Sequence, residues 1–204
     1  MISKFHYLTQ DLPNVSHQDL VLAACKSGVK WVQLRVKNKS FDEYLQIAIE
    51  VKKICDTYGA TLIINDQVEI CQKINAHGVH LGKQDMPLAE ARKILGQNKI
   101  IGATANTLSD VLLHQQNHAS YIGLGPYAFT NTKKKLSPVL GIDGYTSICS
   151  ATDILIPVIA IGGIQMADIQ PLLQTGVYGV AVSSAINLAQ NKPAVIAGFL
   201  KQIL

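Results

Sequence analysis

The chain has 204 residues, of which 48% are hydrophobic and only 16% charged. That gives ample core and excludes general disorder. Its net charge of +4 is mild and dispersed, and no Lys/Arg run is interleaved with aromatics, so anionic small molecules are expected as partners and nucleic acid is not.

Taken in chain order, short β-branched runs recur at 5–8, 30–35, 61–64, 77–81, 99–103, 120–124, 157–160 and 178–182, with helix-periodic segments between them. After the first run, Ser16 can cap a helix that ends at Gly28. Ser40 or Asp42 starts the next, with Tyr44, Ile47, Ala48, Val51 and Ile54 spaced as a core stripe and Gly59 as its stop. Pro87 fits the first turn of a helix over 87–95 that closes at Gly96. Thr107, Gly144 and Asp168 lie near the starts of three later helices, and Pro193 opens the last.

Eight strand–helix units at short spacing predict one α/β domain over 1–204, a single (β/α)8 TIM barrel. An open doubly wound sheet would more often carry a Gly-x-Gly-x-x-Gly turn after its first strand, and none is present. No linker or low-complexity tract interrupts the pattern. The longest irregular stretch, 126–143, contains Thr130-Asn131-Thr132-Lys133-Lys134-Lys135, and Tyr127 to Lys135 reads as a lid over a ligand.

Cys25, Cys55, Cys71 and Cys149 are scattered without metal-ligand spacing and read as free buried thiols, which suits a reducing cytoplasm. The start, Met1-Ile2-Ser3-Lys4-Phe5, is not a secretory stretch. No run approaches the ~20 apolar residues that span a bilayer, so no membrane partner is expected. A homo-oligomer is left open.

Polar residues gather where the strand-like runs end, which in a parallel barrel is where ligands bind. Gln33, Arg35 and Lys37 alternate onto one face at the second exit. With Lys133 from a later loop they form a surround suited to a pyrophosphate, Arg offering a donor fork and Lys a compact charge. Asp66 and Asp85 end the third and fourth runs, and two hard carboxylates are what Mg2+ takes when it also holds substrate phosphates. A general acid–base pair is the weaker reading, because neither carboxylate has an apolar neighbourhood in sequence that would raise its pKa. Gly162-Gly163 and Ser183-Ser184 stand after the seventh and eighth runs, where barrels commonly hold a phosphate on backbone N–H groups and a short helix. A Cβ at such a glycine would keep the backbone away from the phosphate.

Histidines carry less. His77 and His80 are odd-spaced on a strand and face opposite sides, with His80 a satisfied core or rim residue. His114 and His118, four apart, read as a solvated helix face.

Several stretches together resemble the thiamine-phosphate synthase (thiamine-phosphate pyrophosphorylase) family. They are Gln33-Leu34-Arg35-Val36-Lys37, Asn65-Asp66, Gly78-Val79-His80-Leu81-Gly82 with Asp85, Gly123-Leu124-Gly125-Pro126, Thr130-Asn131-Thr132-Lys133, Ile161-Gly162-Gly163-Ile164 and Ser183-Ser184-Ala185-Ile186. The resemblance covers nearly the whole chain in order.

It implies a transferase that joins a hydroxymethylpyrimidine diphosphate to a thiazole phosphate with Mg2+, giving thiamine monophosphate and pyrophosphate. By position, Gln33, Arg35, Lys37, Asn65, Thr104 and Lys133 would hold the diphosphate substrate. Asp66 and Asp85 would ligate Mg2+, and Thr130, Thr132, Gly163, Ser183 and Ser184 would hold the thiazole phosphate. Arg35, Lys37, Thr104 and Lys133 are the groups expected to act on the reacting atoms. The family reaction is dissociative, pyrophosphate leaving before the thiazole nitrogen captures a pyrimidine carbocation. This chain has Thr104 where the family often has Ser, Asn106 where it has His, Lys83 where it commonly has Gln, and Ala128 where relatives carry Arg. Lys83 is expected to add positive charge beside the metal. The related thiazole tautomerases share the barrel but tend to lose the diphosphate and metal residues. A non-catalytic regulatory barrel would bind a phosphometabolite without turnover.

Overall fold

The computed structural model describes residues 1–130 and 137–203. Eight parallel strands close into a barrel: β1 (Phe5–Leu8), β2 (Trp31–Leu34), β3 (Thr61–Asn65), β4 (Gly78–Leu81), β5 (Ile100–Ala105), β6 (Tyr121–Leu124), β7 (Val158–Ile161) and β8 (Gly179–Val182). Each pairs with its sequence neighbours, and Phe5 opposite Val180 closes the ring. All eight expected strands are present. β5 runs two residues further than its apolar run, because Thr104 and Ala105 still pair with Gly123 and Leu124.

The helices are α1 (His17–Lys26), α2 (Phe41–Thr57), α3 (Val68–Lys73), α4 (Leu88–Leu95), α5 (Leu108–Gln116), α6 (Gly141–Cys149), α7 (Ile169–Gln174), α8 (Ser184–Asn187) and α9 (Lys192–Ile203). Local chemistry sets their starts. Ser16 accepts from the Asp19 N–H, and Ser40 with Glu43 and Thr107 with Asp110 form reciprocal capping boxes. The α2 stripe is as read, with Tyr44, Ala48, Val51 and Cys55 buried and Ile47 and Ile54 packed at its margin. A 3-10 turn, Met166–Asp168, precedes α7.

Two apolar layers hold the barrel. Between sheet and helices lie residues such as Val32, Leu34, Leu62, Ile64, Val79, Ile122 and Val180, and burying each large aliphatic stabilises by about 1.5–3 kcal/mol. Inside the barrel, Leu8, Trp31, Ile63, Tyr121, Ile159 and Ala181 form a second cluster. His6 stacks on Trp31 at 4.3 Å, and both meet Tyr121 edge-on at 5.1 and 5.7 Å. Glycines make the room: a Cβ on Gly102 would stand 2.2 Å from Tyr121 Cζ, and one on Gly123 would stand 3.0 Å from His80 Cε1. With the interior filled by side chains, the place where a barrel of this kind binds a ligand is the carboxyl edge of the strands.

Cys25, Cys55 and Cys71 are buried free thiols and Cys149 is half-buried. No helix among the described residues is long and apolar enough to cross a membrane.

Candidate active site

The arc from β2 to β4 carries charge. Gln33 points into the barrel at the end of β2, and its amide donates to Asn65 Oδ1 at 2.9 Å. The Tyr44 hydroxyl donates to the carbonyls of Leu34 (2.6 Å) and Asn65 (3.2 Å), tying the ends of β2 and β3 together. Arg35 and Lys37 follow the strand, and their backbone is clamped from the loop after β1. Thr9 Oγ1 accepts from the Arg35 N–H at 2.9 Å, and Asp11 Oδ2 accepts from the Lys37 N–H at 3.2 Å. One imidazole joins both clamps: His17 Nδ1 lies 2.9 Å from Thr9 Oγ1 and Nε2 lies 2.9 Å from Asp11 Oδ1. Burial pulls the Arg35 guanidinium below its ordinary pKa, opposed by the charges of Asp66 and Asp11.

Asp66 turns the chain after β3 with a left-handed φ of 66°. Its N–H donates to the His80 carbonyl at 2.9 Å, and its carboxylate pairs with Lys37 Nζ. Asp85 Oδ2 accepts from the Gly82 N–H at 2.6 Å. Its pKa is raised from the ordinary 3.8 to about 6, chiefly by burial and then by a hydrogen bond with Asp66, while the Gly82 N–H and Lys37 oppose the rise. The expectation that neither carboxylate is perturbed therefore fails for Asp85. The strand exits of β3 and β4 bring it against Asp66, a neighbour 19 residues earlier in the chain. Two carboxylates close enough to share a proton are a hard-oxygen pair, a donor set that could hold a divalent cation. Among the described residues no group of three or more His, Cys, Asp and Glu could hold a metal.

Between β4 and β6 the edge is neutral. His80 is 8% exposed, and both ring nitrogens are engaged, Nδ1 by Tyr121 Oη and Nε2 by Thr104 Oγ1, each at 3.0 Å. The reading of His80 as a satisfied histidine stands. That of His114 does not: its Nε2 turns inward to the Thr104 carbonyl at 3.1 Å. His118 lies past the end of α5, exposed at φ 59°. Lys83 does not bring a bare charge to the carboxylates, because it pairs with Asp110 Oδ2 at 2.6 Å. The same oxygen accepts from the Asn106 and Thr107 N–H groups.

From β6 to β8 the edge is built from backbone and hydroxyls. The cis Gly125–Pro126 peptide leads into a loop stitched to the β7 exit, Tyr127 N–H to Ile161 O and Ala128 N–H to Gly162 O, both 2.9 Å. Gly162 and Gly163 have φ of 102° and 71°. A Cβ at Gly163 would stand 2.8 Å from Phe129 O and 3.0 Å from Ala128 Cβ. The glycine is thus required first by its own loop contact, a reason the sequence reading did not contain. Ser183 and Ser184 each donate to Gln10 Oε1 at 3.3 Å. Asn187, buried beneath them, donates to Ser183 Oγ (3.1 Å) and Leu8 O (2.8 Å) and accepts from the Tyr7 hydroxyl (2.5 Å).

Gln33, Arg35, Lys37, Asn65, Asp66, Asp85 and Thr104 thus stand on one arc of the carboxyl edge, and Gly163, Ser183 and Ser184 on the other. Thr130 is the last described residue before the break, and Thr132, Lys133 and the rest of the expected lid to Lys135 lie outside the described residues. Thr9, Gln10, Asp11, His17 and Asn187 were not singled out from sequence. The cluster Thr9-Gln10-Asp11 directly after the first strand was the available signal.

A closed eight-stranded barrel with this edge defines a (β/α)8-barrel enzyme. The model of a family described as thiamine monophosphate synthase matches residues 8–186. A thiamine-phosphate synthase of Phocaeicola vulgatus is 46% identical over 94% of this chain and 93% of its own length, and one of Flavobacterium psychrophilum is 44% identical over the full length of both. Among solved structures, a thiamine phosphate pyrophosphorylase from Pyrococcus furiosus superposes with a TM-score of 0.88 at 30% identity, covering 98% of this chain and 95% of that one. A 3-hexulose-6-phosphate synthase at 14% identity and a TM-score of 0.72 shares the fold alone. The chain belongs to the thiamine monophosphate synthase family, and it is a transferase.

Proposed function

We propose that the chain condenses 4-amino-2-methyl-5-hydroxymethylpyrimidine diphosphate with thiazole phosphate, releasing thiamine monophosphate and pyrophosphate. The observation that carries this reading is the charged arc, where Arg35, Lys37, Asp66 and Asp85 converge at three successive strand exits. The thiazole tautomerases tend to lack that set. Arg35 and Lys37 would hold the diphosphate, and their clamped backbone keeps both donors aimed at the edge. Asp66 and Asp85 would hold Mg2+, which when bound offsets the charge of the leaving pyrophosphate. Lys37, which pairs with Asp66, would bring a compact positive charge to a phosphate oxygen.

The C–O bond between the pyrimidine methylene and the diphosphate breaks with its electron pair going to pyrophosphate. The thiazole nitrogen lone pair then forms the new C–N bond. No described side chain is set as a nucleophile on this edge, which supports a dissociative path in which the protein positions the reactants and stabilises charge. Gly163, Ser183 and Ser184 would hold the thiazole phosphate from the facing arc. The free thiols support a reducing, cytoplasmic setting.

The test is to mix both substrates with Mg2+ and look for thiamine phosphate and pyrophosphate. Their formation at enzymatic rates is expected. Isomerisation of the thiazole alone would replace this reading with the tautomerase, and binding without turnover would replace it with a regulatory barrel.

A further inference from the structure

Tyr121 lies inside the barrel at 1% exposure, ringed by His6, Trp31 and His80. Its hydroxyl has one hydrogen-bond partner among the described residues, His80 Nδ1 at 3.0 Å. His80 Nε2 is in turn 3.0 Å from Thr104 Oγ1, at the carboxyl edge. These three groups can be wired in two directions. In one, Tyr121 donates to Nδ1, the imidazole carries its proton on Nε2, and Nε2–H donates to Thr104. In the other, Nδ1–H donates to Tyr121 and Nε2 accepts from Thr104. The second wiring leaves the Tyr121 proton buried without an acceptor, against a wall that includes Ile63, Ile159 and Ala181. A buried donor left unmade is strongly disfavoured, so the first direction prevails.

We propose that Tyr121 and His80 are positioning residues for Thr104. They fix the Nε2–H tautomer, occupy one lone pair of the Thr104 hydroxyl, and leave its proton to be donated outward, to an acceptor such as a phosphate oxygen. Thr104 is stiff at χ1 because it is β-branched, so the direction of that donation is set before a ligand arrives. Gly102 and Gly123 provide the room that the two rings fill. The identity of the acceptor rests on the proposed function; the wiring does not.

Two measurements separate these layers. Long-range nitrogen–proton correlation on histidine-labelled, ligand-free protein reads the tautomer directly. Protonated Nε2 and bare Nδ1 at His80 are expected, and the reverse overturns the wiring whether or not the chain proves to be a synthase. Tyr121→Phe keeps the ring and removes the hydroxyl. It should lower kcat/KM for the pyrimidine diphosphate by about tenfold, and by nothing further in a Thr104→Ala background. Losses that multiply instead would mean that Tyr121 acts through packing, and the proposal would fall. His80→Gln, which retains an amide donor, should recover part of the activity lost in His80→Ala; equal losses in the two would count against it. If Tyr121→Phe does not fold, the tautomer of the wild-type protein still decides.

Discussion

From β2 to β4 the carboxyl edge presents full charges on side chains, Arg35, Lys37, Asp66 and Asp85, whereas from β7 to β8 it presents hydroxyls and left-handed glycine backbone. The charged arc is held from behind, by Thr9, Asp11 and His17 on the β2 loop. Its outward groups can therefore be removed one at a time with the support left standing. On the neutral arc Ser183 and Ser184 are likewise held from behind, by Gln10 and Asn187, but Gly163 has no such separation, because its own backbone is the surface against which the β6 loop packs. Chemistry and architecture are divisible on the charged arc and fused at Gly163.

The sharpest break in this comparison is the double variant Asp66→Ala, Asp85→Ala. It should lose about three orders of magnitude of Mg2+-supported rate, as the metal's several kcal/mol imply, and Asp66→Asn, Asp85→Asn, which keeps a residue that tolerates the left-handed φ of 66° at position 66, should lose as much with a melting temperature near wild type. Full activity of this variant, or of the native protein in excess chelator, would remove the Mg2+ assignment. Next comes Gly163→Val. A β-branched residue at φ 71° with a Cβ 2.8 Å from Phe129 O should cost about 1–3 kcal/mol in urea denaturation. It should also weaken thiazole phosphate more than the diphosphate in separate titrations. A variant of native stability that still loses thiazole phosphate would show that the two roles are separable after all.

Smaller again is His17→Ala, which relaxes both clamps without touching the edge. About a tenfold loss of diphosphate affinity is expected from the missing hydrogen bonds, with thiazole phosphate binding unchanged. Equal weakening of both ligands by calorimetry would mean that the arcs are not independent. Smallest is a stability slope from Asp85, which is half-exposed. Its folded pKa of about 6 against the ordinary 3.8 means that the native state holds this proton more tightly than the unfolded chain. The contribution is complete below about pH 4 and is lost as pH rises through about 6. Melting of the metal-free protein across that window should show the loss, and Asp85→Asn should flatten it.

How much of this was legible in the chain follows from the range of each interaction. Strands announce themselves by short β-branched runs and helices by caps such as Ser16, Ser40 and Thr107, all within a few residues. The barrel and the polar strand exits followed from those local signals. What escaped depends on pairs far apart in sequence: Lys83 with Asp110, 27 residues on, Asp66 with Asp85, and Tyr121 with His80, 41 apart. A histidine at a strand end reads as satisfied without revealing its partners. The solvated reading of His114 and His118 assumed one helix through both, but α5 stops at Gln116 and a left-handed turn separates them. The direct role first given to Gly163 was incomplete because contact with the β6 loop depends on the closed ring.

Gly102 and Tyr121 face each other across β5 and β6 with no space between them, since a single methyl on the glycine would stand 2.2 Å from the phenol ring. The two positions are in effect one heritable character. A lineage that acquires alanine at 102 must shrink residue 121 to stay folded, and with the ring it surrenders the hydroxyl that meets His80. A residue with no side chain, two positions before Thr104 on the same strand, would then set whether Thr104 can keep its hydrogen-bond direction as the family diverges.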